Sequence, residues 1–351
     1  MKQGKLKVGV IGAGSWAISS HIPNLQSRPE VELTAVHRLE PDLVEKVKER
    51  FGFRMATTNI QDVLDCEPDV VVVASPAAVH FAHVKAALEA GAHVLCEKPF
   101  TLKSHEAWEL QRIAEARGRH LVIAFGWNYK PMVTQVKRWM ESSDGIGEIE
   151  SMMVHMASAI RELMLNQGIY HGASQGFDPN PSTWTDPALS GGGYAQAQLT
   201  HALGLSLWIS GLRGEEVFAR MHTSGGNVDL HDSYNVKFTN GAIGSVFGAS
   251  HARGPEKHQL QMRLFGNKGH LVLDIEREKA WIYRSMEDQE ELSLKDGDGE
   301  YSCEGPVHTL IDLALGKTVI NHSPAELGAR TVEIIEAAYR SVSSGRSEKM
   351  N

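Results

Sequence analysis

The sequence predicts an α/β protein of two domains: a first domain built on a parallel β-sheet, and a second, α+β domain built on a large, open, mostly antiparallel sheet. In the first third of the chain, short apolar runs alternate with helical patterns, and after about residue 126 longer strand-like segments follow one another. The length of 351 residues also suits two domains. We place the first domain at 1–126 and the second at 127–351.

Five apolar runs predict the strands of the first domain. They are Leu6 to Ile11, Glu32 to Val36, Val70 to Ala74, His93 to Cys96 and His120 to Phe125, with helical patterns between them at 15–27, 41–50, 79–90 and 104–117. Strands that alternate with helices of this length are joined by right-handed crossovers and form a parallel sheet. The four valines at 70–73 are apolar toward both faces, so we expect helices on both sides.

The second domain is predicted from longer strand-like segments. They lie at 148–157, 215–222, 231–238, 242–250, 258–265, 269–275 and 279–284. Asn240 and Gly241 tolerate the positive φ angles of a type I′ turn, which predicts a tight antiparallel hairpin between two of these strands. Helical patterns appear at 194–210 and 324–343. The second face of such a sheet needs a covering layer, which either helices or another subunit could supply.

Composition excludes several classes of protein. The chain has 35 Lys and Arg against 43 Asp and Glu, a net charge of -8, so it lacks the broad positive potential that nucleic acids and anionic membranes require. No run of 18 apolar residues and no signal-peptide pattern is present, and we expect a cytoplasmic protein. The three cysteines, Cys66, Cys96 and Cys303, form no CxxC pair and predict neither a disulfide framework nor a zinc knuckle.

A glycine motif follows the first predicted strand. Gly12, Ala13, Gly14, Ser15 and Trp16 stand between that strand and the first helix, and Ala17 takes the third small position of the dinucleotide-binding fingerprint. In this position the first glycine permits a tight turn, the second lets a pyrophosphate approach the backbone, and the helix start offers N–H groups to phosphate. The motif therefore predicts a Rossmann domain that binds a nicotinamide dinucleotide.

The end of the second predicted strand bears on the choice of dinucleotide. NAD enzymes place an acid there to accept hydrogen bonds from the ribose 2′-hydroxyl, whereas this chain has His37 and Arg38. A guanidinium can hold a 2′-phosphate through charged hydrogen bonds, which favours NADP. Glu40 is nearby as a substitute acid, so NAD stays possible.

Two further strand ends carry polar residues. Ser75, Pro76 and His80 follow the Val70 strand, and Glu97 with Lys98 follows the His93 strand. Ligands of such sheets bind outside the carboxyl ends of the strands. A buried lysine beside a nicotinamide could donate a hydrogen bond to a substrate oxygen or, with a lowered pKa, relay a proton. The alternative is an ordinary Lys/Glu surface pair.

In the second domain, three glycines at 191–193 precede a helical pattern that contains His201. The glycines leave room for a ligand to approach closely, and an α-helix would put Gln198 and Ala197 on the same face as His201. A lone histidine in such a helix is more often structural. Its combination with Lys98 favours a catalytic role.

Together, GAGSWA, SPAAVH, CEKP, GWNY at 126–129 and the glycines with His201 resemble the Gfo/Idh/MocA family of glucose-fructose oxidoreductases and inositol dehydrogenases. The resemblance implies an active site between a Rossmann domain and an open α/β domain, and oxidation or reduction of a secondary alcohol or ketone of a sugar or cyclitol. It also implies a homodimer or homotetramer through the second sheet. It makes Lys98 the catalytic lysine and His201 the acid/base histidine.

The resemblance also places Ser75, Pro76, His80 and Glu97 on the nicotinamide side, and it suggests a cis bond before Pro99. In one respect the chain departs from the family: many members have an aspartate four residues before the histidine, where this chain has Ala197. An aspartate there would raise the imidazole pKa and orient the ring, which alanine cannot do. We expect another arrangement to orient the substrate here.

Further substrate contacts are expected at the start of the second domain, because sugars are held by directed hydrogen bonds and by aromatic faces. The candidates are Tyr129, His155, Arg161, Trp184 and Gln198. No metal is expected, because the 17 histidines show no metal-ligand spacing. Two other functions stay open: a glycosidase that uses NAD as a transient oxidant, and a dinucleotide-dependent regulatory protein without catalysis.

Overall fold

The structure is a computed structural model that describes residues 4–143, 145–167, 177–252, 258–292 and 294–350. The helices are α1 (Ile22–Gln26), α2 (Pro41–Phe51), α3 (Ile60–Asp65), α4 (His80–Glu89), α5 (Ser104–Ala116), α6 (Pro131–Glu141), α7 (Arg161–Met164), α8 (Ser182–Thr185), α9 (Pro187–Ser190), α10 (Thr200–Ser210), α11 (Glu304–Ala314) and α12 (Ala325–Ser344). The strands are β1 (Leu6–Ile11), β2 (Val31–His37), β3 (Met55–Thr57), β4 (Val70–Val73), β5 (His93–Cys96), β6 (Leu121–Ile123), β7 (Ile149–Ser158), β8 (Gly214–His222), β9 (His231–Phe238), β10 (Ile243–Ala249), β11 (His258–Gly266), β12 (Gly269–Asp274), β13 (Lys279–Tyr283), β14 (Gln289–Glu291) and β15 (Glu348–Lys349).

The described residues divide into two compact units, each with its own sheet. The first unit takes in the chain up to Gly126 together with 177–183 and Ser302–Ala329, and the second takes in the rest. The segment at 302–329, with α11, thus belongs to the first unit although it lies in the last quarter of the sequence.

The first unit contains a six-stranded sheet in the order β3-β2-β1-β4-β5-β6, with every neighbouring pair parallel. This confirms the predicted Rossmann fold. The four valines of β4 are at most 1% exposed, as expected for a strand covered on both faces. Ser323 attaches the late segment to β6, since its hydroxyl donates to the Ile123 carbonyl at 2.6 Å and its carbonyl accepts from the Ile123 N–H at 2.9 Å.

The second unit contains a nine-stranded sheet in the order β14-β13-β12-β11-β7-β10-β9-β8-β15. Only β7 and β10 pair in parallel, so the predicted mostly antiparallel sheet is confirmed. Side chains alternate between buried and exposed along β9 and β10, which is the pattern of a sheet with one covered face. Helix α10 contacts β7 and β11 and supplies part of that cover.

The other face of this sheet, which we call the open face, carries exposed apolar side chains. Met153, Ile243, Phe247 and Phe265 are 48%, 63%, 46% and 39% exposed. They stand on the three adjacent strands β10, β7 and β11, where register places Ile243 and Phe265 on either side of Ser151. The open face is therefore an apolar surface that no described helix of this unit covers.

The turn between β9 and β10 differs from the predicted type I′ hairpin. Gly241 has a φ of 88°, but Asn240 has no positive φ, whereas a type I′ turn needs positive values at both central residues. The Gly241 N–H donates to the Phe238 carbonyl, and the Asn240 side chain accepts from the Ala242 N–H at 3.1 Å. The hairpin is antiparallel as expected. Its loop, however, is longer than a type I′ turn and is stabilised by the bond to the Asn240 side chain.

No helix in the part of the chain that the structure describes is long and apolar enough to cross a membrane.

Candidate active site

The loop after β1 is a tight glycine turn. Gly12 has a φ of 85°, and a Cβ there would overlap the backbone of Ser75. The N–H groups of Gly12 and Ala13 donate to the His37 carbonyl at 3.1 and 2.9 Å. A Cβ on Gly14, by contrast, would meet nothing closer than 4.0 Å. The turn therefore keeps an open space at Gly14, which fits the pyrophosphate of a dinucleotide.

From this turn the chain enters a helix through Ser15 and Trp16. The helix begins as a π-helical turn, Ala17–His21, and continues as α1. Ala17 is 1% exposed and lets the helix pack closely, while Trp16 is 41% exposed. His21 is fully buried at the end of the π turn. Sequence reasoning placed the helix correctly but gave His21 no role.

At the end of β2, Arg38 is held by two partners. Its Nε donates to Glu40 Oε2 at 2.8 Å, and one terminal nitrogen donates to the Ala13 carbonyl at 2.8 Å. The guanidinium thus lies over the glycine turn, beside an acid that is half exposed. His37 is buried, and burial lowers the pKa of its imidazole. The structure therefore brings a cation and an acid together where the adenosine ribose of a dinucleotide binds.

His80 links the loop after β4 to the loop after β5 through hydrogen bonds. Its Nε2 lies 2.7 Å from the Ser75 carbonyl and its Nδ1 lies 2.8 Å from the Pro99 carbonyl, and the ring is 1% exposed. Burial lowers the pKa of this imidazole. Ser75 Oγ pairs with Nδ1 of His83 at 2.9 Å. His80 therefore shapes the loop from inside, and Ser75 with Pro76 forms its partly exposed surface.

Glu97 and Lys98 follow β5, with a cis bond between Lys98 and Pro99. Glu97 is 8% exposed; Nε2 of His21 donates to its Oε1 at 2.6 Å, and the Lys98 N–H donates to its Oε2 at 3.0 Å. Burial acts to raise the pKa of Glu97, but the bond from His21 and the charge of Lys98 outweigh it and leave that pKa below its usual value. Glu97 is therefore a buried carboxylate in its ionised form.

The pKa of the Lys98 ammonium depends on its surroundings, which include Glu97. Burial lowers this pKa, and the charge of Glu97, with a contribution from the nearby Cys303, opposes that shift. His21, Glu97 and Cys303 bring an imidazole, a carboxylate and a thiol within 4.8 Å of one another. Because His21 already binds Glu97 and an ammonium stands beside them, we interpret this group as a buried ion-pair cluster around Lys98.

Register aligns the features of the first unit at one edge of the sheet. Ile11, Val73 and Cys96 are neighbours at the ends of β1, β4 and β5. The residues that follow them are the glycine turn, the Ser75 loop and the Glu97–Lys98 pair. Since neighbouring strands lie about 4.8 Å apart, the three features form a row of about 10 Å. This is the edge at which ligands bind such sheets.

In the second unit, His201 is the second residue of α10 and is 5% exposed. Its ring centroid lies 5.3 Å from that of Trp127 and 5.2 Å from that of Tyr301, both edge-on. Trp127 is fixed by a hydrogen bond from Nε1 to the Gly299 carbonyl at 3.2 Å, and its ring also contacts His258 at 5.2 Å. Aromatic rings from distant parts of the chain therefore hold the imidazole. Only the GWNY motif could have pointed to one of them.

The helix before His201 is wider than the sequence predicts. Residues Ala195–Leu199 form a π-helical turn, in which the Thr200 N–H donates to the Ala195 carbonyl five residues back. Side chains therefore do not follow α-helical spacing here, and Gln198 is not placed relative to His201 as predicted. Ala197 and Gln198 are both partly exposed, while Gln196 is buried.

The places that Cβ atoms would take at Gly192 and Gly193 are filled by the chain's own side chains and backbone. A Cβ on Gly192 would overlap the Tyr339 hydroxyl, and one on Gly193 would overlap the Asp229 backbone. The Gly193 N–H donates to Asp229 Oδ1 at 2.8 Å. At Gly192 and Gly193, the missing Cβ atoms therefore serve packing, where sequence analysis expected room for a ligand.

The remaining predicted substrate residues lie on several elements of the second unit. His155 points to the open face, where its ring meets Phe247 at 5.6 Å, whereas α10 packs on the covered face. Arg161 lies beside His231 and, after burial, helps to lower the pKa of that imidazole. Trp184 lies in the short helix α8. Tyr129 ends the short 3₁₀ turn that begins at Gly126.

Comparison with known proteins agrees with this architecture. Residues 6–125 match a family model described as an oxidoreductase family with an NAD-binding Rossmann fold. Residues 133–272 match the model of the GFO/IDH/MocA C-terminal domain. The two matches together cover most of both predicted domains.

The chain is 25% identical to levoglucosan dehydrogenase of Pseudarthrobacter phenanthrenivorans over 307 residues, which are 78% of this chain and 74% of that protein. It is 30% identical to D-glucoside 3-dehydrogenase of Escherichia coli over 213 residues, 60% of this chain and 56% of that protein. The solved structure of levoglucosan dehydrogenase in complex with NADH and levoglucosan is similar with a TM-score of 0.81 at 21% identity, covering 99% of each chain. That likeness concerns the fold.

Proposed function

Because the chain belongs to the Gfo/Idh/MocA family of oxidoreductases, we propose that it moves a hydride between a nicotinamide dinucleotide and a secondary alcohol or ketone of a sugar or cyclitol. The observation that carries this proposal is that the buried Glu97 and the partly exposed Lys98 stand in the same row as the glycine turn. An ammonium held there has the charge to stabilise an alkoxide. The names of both relatives, each a dehydrogenase of a sugar or glycoside, support the substrate class.

In this mechanism the dinucleotide supplies or accepts the hydride. Its pyrophosphate would be held at Gly14 and the start of the first helix, and its nicotinamide would lie at the Ser75 loop and Lys98. In the oxidative direction His201 accepts the proton of the substrate hydroxyl, and Lys98 stabilises the negative charge that develops on its oxygen. In reduction the same groups act in reverse.

Ala197 removes the charge that would otherwise orient the imidazole. We propose that the edge-on rings of Trp127 and Tyr301 orient His201 instead. Edge-on aromatic neighbours of this kind restrict the rotation of the imidazole ring.

The test replaces Lys98 and His201 separately by alanine and measures reduction of NAD and NADP with a panel of pyranoses and cyclitols. We expect kcat to fall at least about 100-fold in each variant, with little change in dinucleotide affinity for the His201 variant. Lys237→Ala and His270→Ala on the second sheet are matched controls. Near-wild-type turnover in both alanine variants would refute the site. Tightly bound cofactor without net reduction would favour the glycosidase alternative.

We further propose NADP as the preferred dinucleotide. Arg38 is already placed over the glycine turn and has donors left for a 2′-phosphate, which would compete with Glu40 for the guanidinium. Arg38→Leu should then weaken NADP binding about 10- to 100-fold, and Glu40→Gln should strengthen it, because the competing carboxylate is gone. If Glu40→Gln instead weakens NAD binding and NADP binding is poor in the wild type, Glu40 serves as the acid of an NAD site.

The open face of the second sheet supports the proposal of a homo-oligomer. Its exposed apolar side chains, with Ile243 at 63%, would be covered by a second copy of the same surface. Light scattering on the purified protein should show a dimer or tetramer, and Ile243→Lys with Phe247→Lys should give a monomer that still binds dinucleotide. A monomeric wild type would contradict this.

A further inference from the structure

The turn at 191–193, which leads into the helix of His201, rests on two buried aspartates that we call the acid pair, Asp229 and Asp232. Asp229 precedes β9 and is 5% exposed; Asp232 is the second residue of β9 and is 1% exposed. No charged side chain of the opposite sign takes part in their described hydrogen bonds. Two carboxyl groups buried together without a cation cannot both be ionised without a large cost.

Asp229 has donors on both oxygens. Its Oδ1 accepts from the Gly193 N–H at 2.8 Å and from the Tyr339 hydroxyl at 2.6 Å, and its Oδ2 accepts from the Ala195 N–H at 2.9 Å. Its backbone carbonyl accepts from the Tyr194 N–H at 2.8 Å. All of these partners are donors, so Asp229 is the hydrogen-bond acceptor of the pair.

Asp232 is in the opposite situation. Neither of its carboxyl oxygens has a hydrogen-bond partner that meets ordinary geometry among the described residues. Its side chain faces Asp229, and burial followed by the charge of Asp229 raises its pKa well above the usual value. A carboxyl group that is buried without donors favours its protonated form, and Asp229 is a neighbouring acceptor for that proton.

We propose that Asp232 keeps its proton and shares it with Asp229, and that this acid pair positions the turn at 191–193 and the helix that carries His201. The inference rests on the proposed function in so far as His201 is the base. Asp229 and Asp232 are positioning residues, since neither is argued to touch the substrate.

The path from the pair to His201 is short and continuous. Asp229 binds the N–H groups of Gly193 and Ala195, the Gly193 carbonyl accepts from the Ala197 N–H at 2.9 Å, and the Ala195 carbonyl accepts from the Thr200 N–H. His201 is the next residue. Since a Cβ at Gly192 or Gly193 would overlap Tyr339 or Asp229, the turn has one close-packed arrangement on the pair.

Three tyrosines face the acid pair. They are Tyr194 from the π turn, Tyr234 from β9 and Tyr339 from α12, and burial raises the pKa of each. Deprotonation of Asp232 would put a negative charge beside the Asp229 carboxyl group, and the described hydrogen bonds of the pair include no cation. The raised pKa of Asp232 means that the stability this proton provides is complete at low pH and is lost as pH rises toward that pKa.

The experiment compares Asp229→Asn with Asp232→Asn in the full chain, with Asp288→Asn, an exposed aspartate paired with Arg284, as control. An amide at 232 donates as the protonated acid does, so that variant should keep kcat within about twofold and melt at or above the wild-type temperature. In Asp229→Asn, the side-chain NH₂ group would face the N–H groups of Gly193 and Ala195, which need an acceptor. That variant should lose kcat at least tenfold with an unchanged dinucleotide KM, and amides 193–199 should exchange hydrogen faster.

The pH series adds a readout that general destabilisation would not produce. The melting temperature of Asp232→Asn relative to wild type should increase as pH is raised above about 4, the value at which an unfolded aspartate loses its proton. If both variants lose activity and melting temperature equally, or if the difference does not change with pH, Asp232 is ionised and the inference is wrong. If no sugar is oxidised, the proposed function is refuted. The hydrogen-exchange and melting data still test whether Asp232 keeps its proton.

Discussion

Replacing Glu97 by glutamine tests how the protein controls the charge of Lys98. The substitution keeps the size of the side chain and an oxygen that can accept a hydrogen bond, but it removes the negative charge that opposes the effect of burial on Lys98. The pKa of Lys98, already below its ordinary value, should fall further. Because the ammonium form is the one that stabilises an alkoxide, activity should be lost at a lower pH than in the wild type.

The size of the shift follows from Coulomb's law. Two unit charges about 6 Å apart in a medium of effective dielectric constant about 20 interact by about 3 kcal/mol, which corresponds to about 2 pH units. The alkaline limb of the kcat/KM profile should therefore move down by about 2 pH units. At a pH between the alkaline limbs of the variant and the wild type, the variant's turnover should be about 10- to 100-fold lower. Well below both limbs, the variant and the wild type should differ little.

The assay is the pH dependence of kcat/KM, followed by the absorbance of the reduced dinucleotide, with thermal unfolding recorded at each pH. Glu109→Gln removes an exposed carboxylate paired with Lys85 and serves as control, since it should leave the profile unchanged. An alkaline limb in the Glu97 variant at the wild-type pH, in a protein that is still folded, would mean that Glu97 does not set the charge of Lys98.

Four further variants test separate parts of the structure. Gly14→Ala should weaken dinucleotide binding at least about tenfold in titration without lowering the melting temperature, because a Cβ there enters only open space. Gly193→Ala should lower the free energy of unfolding by about 1–3 kcal/mol in denaturant titration, because its Cβ would overlap Asp229. Trp127→Phe, which loses the bond to Gly299, should reduce kcat severalfold and leave dinucleotide affinity unchanged in steady-state assays. Ser323→Ala should cost about 1–3 kcal/mol of stability, measured by thermal unfolding, with kcat unaffected.

Much of the first unit could be predicted because its strands are buried on both faces and its helices have regular apolar spacing. The runs at 6–11, 70–74 and 93–96 coincide with β1, β4 and β5 to within a residue. Strand β3 has three residues, all partly exposed, and so has no apolar run to detect. Helix α11 contacts β5, β6 and α1, but nothing local in 304–314 says that it belongs with strands almost 200 residues earlier.

In the second unit, the alternating strands could be predicted, but the surroundings of His201 could not. Trp127 and Tyr301 are far from it in sequence and reach it only through the tertiary fold. The π turn at Ala195–Leu199 also has no signal in the amino-acid types, because an extra residue per turn is imposed by contacts rather than by propensity. As a result, the α-helical spacing that paired Gln198 with His201 was wrong, while the segment itself is helical as predicted.

The glycines show most clearly where sequence reasoning stops. A glycine can be needed at a turn for two reasons. Either another atom of the protein occupies the place of its Cβ, or that place must stay empty for a ligand, and the sequence does not distinguish these cases. At Gly14 the space is open, as a ligand site requires, whereas at Gly193 it is taken by Asp229. Because Asp229 also binds the Gly193 N–H, the same missing Cβ lets a carboxylate reach the backbone that leads to His201. A motif that first suggested a second ligand loop thus becomes part of the support of the proposed base.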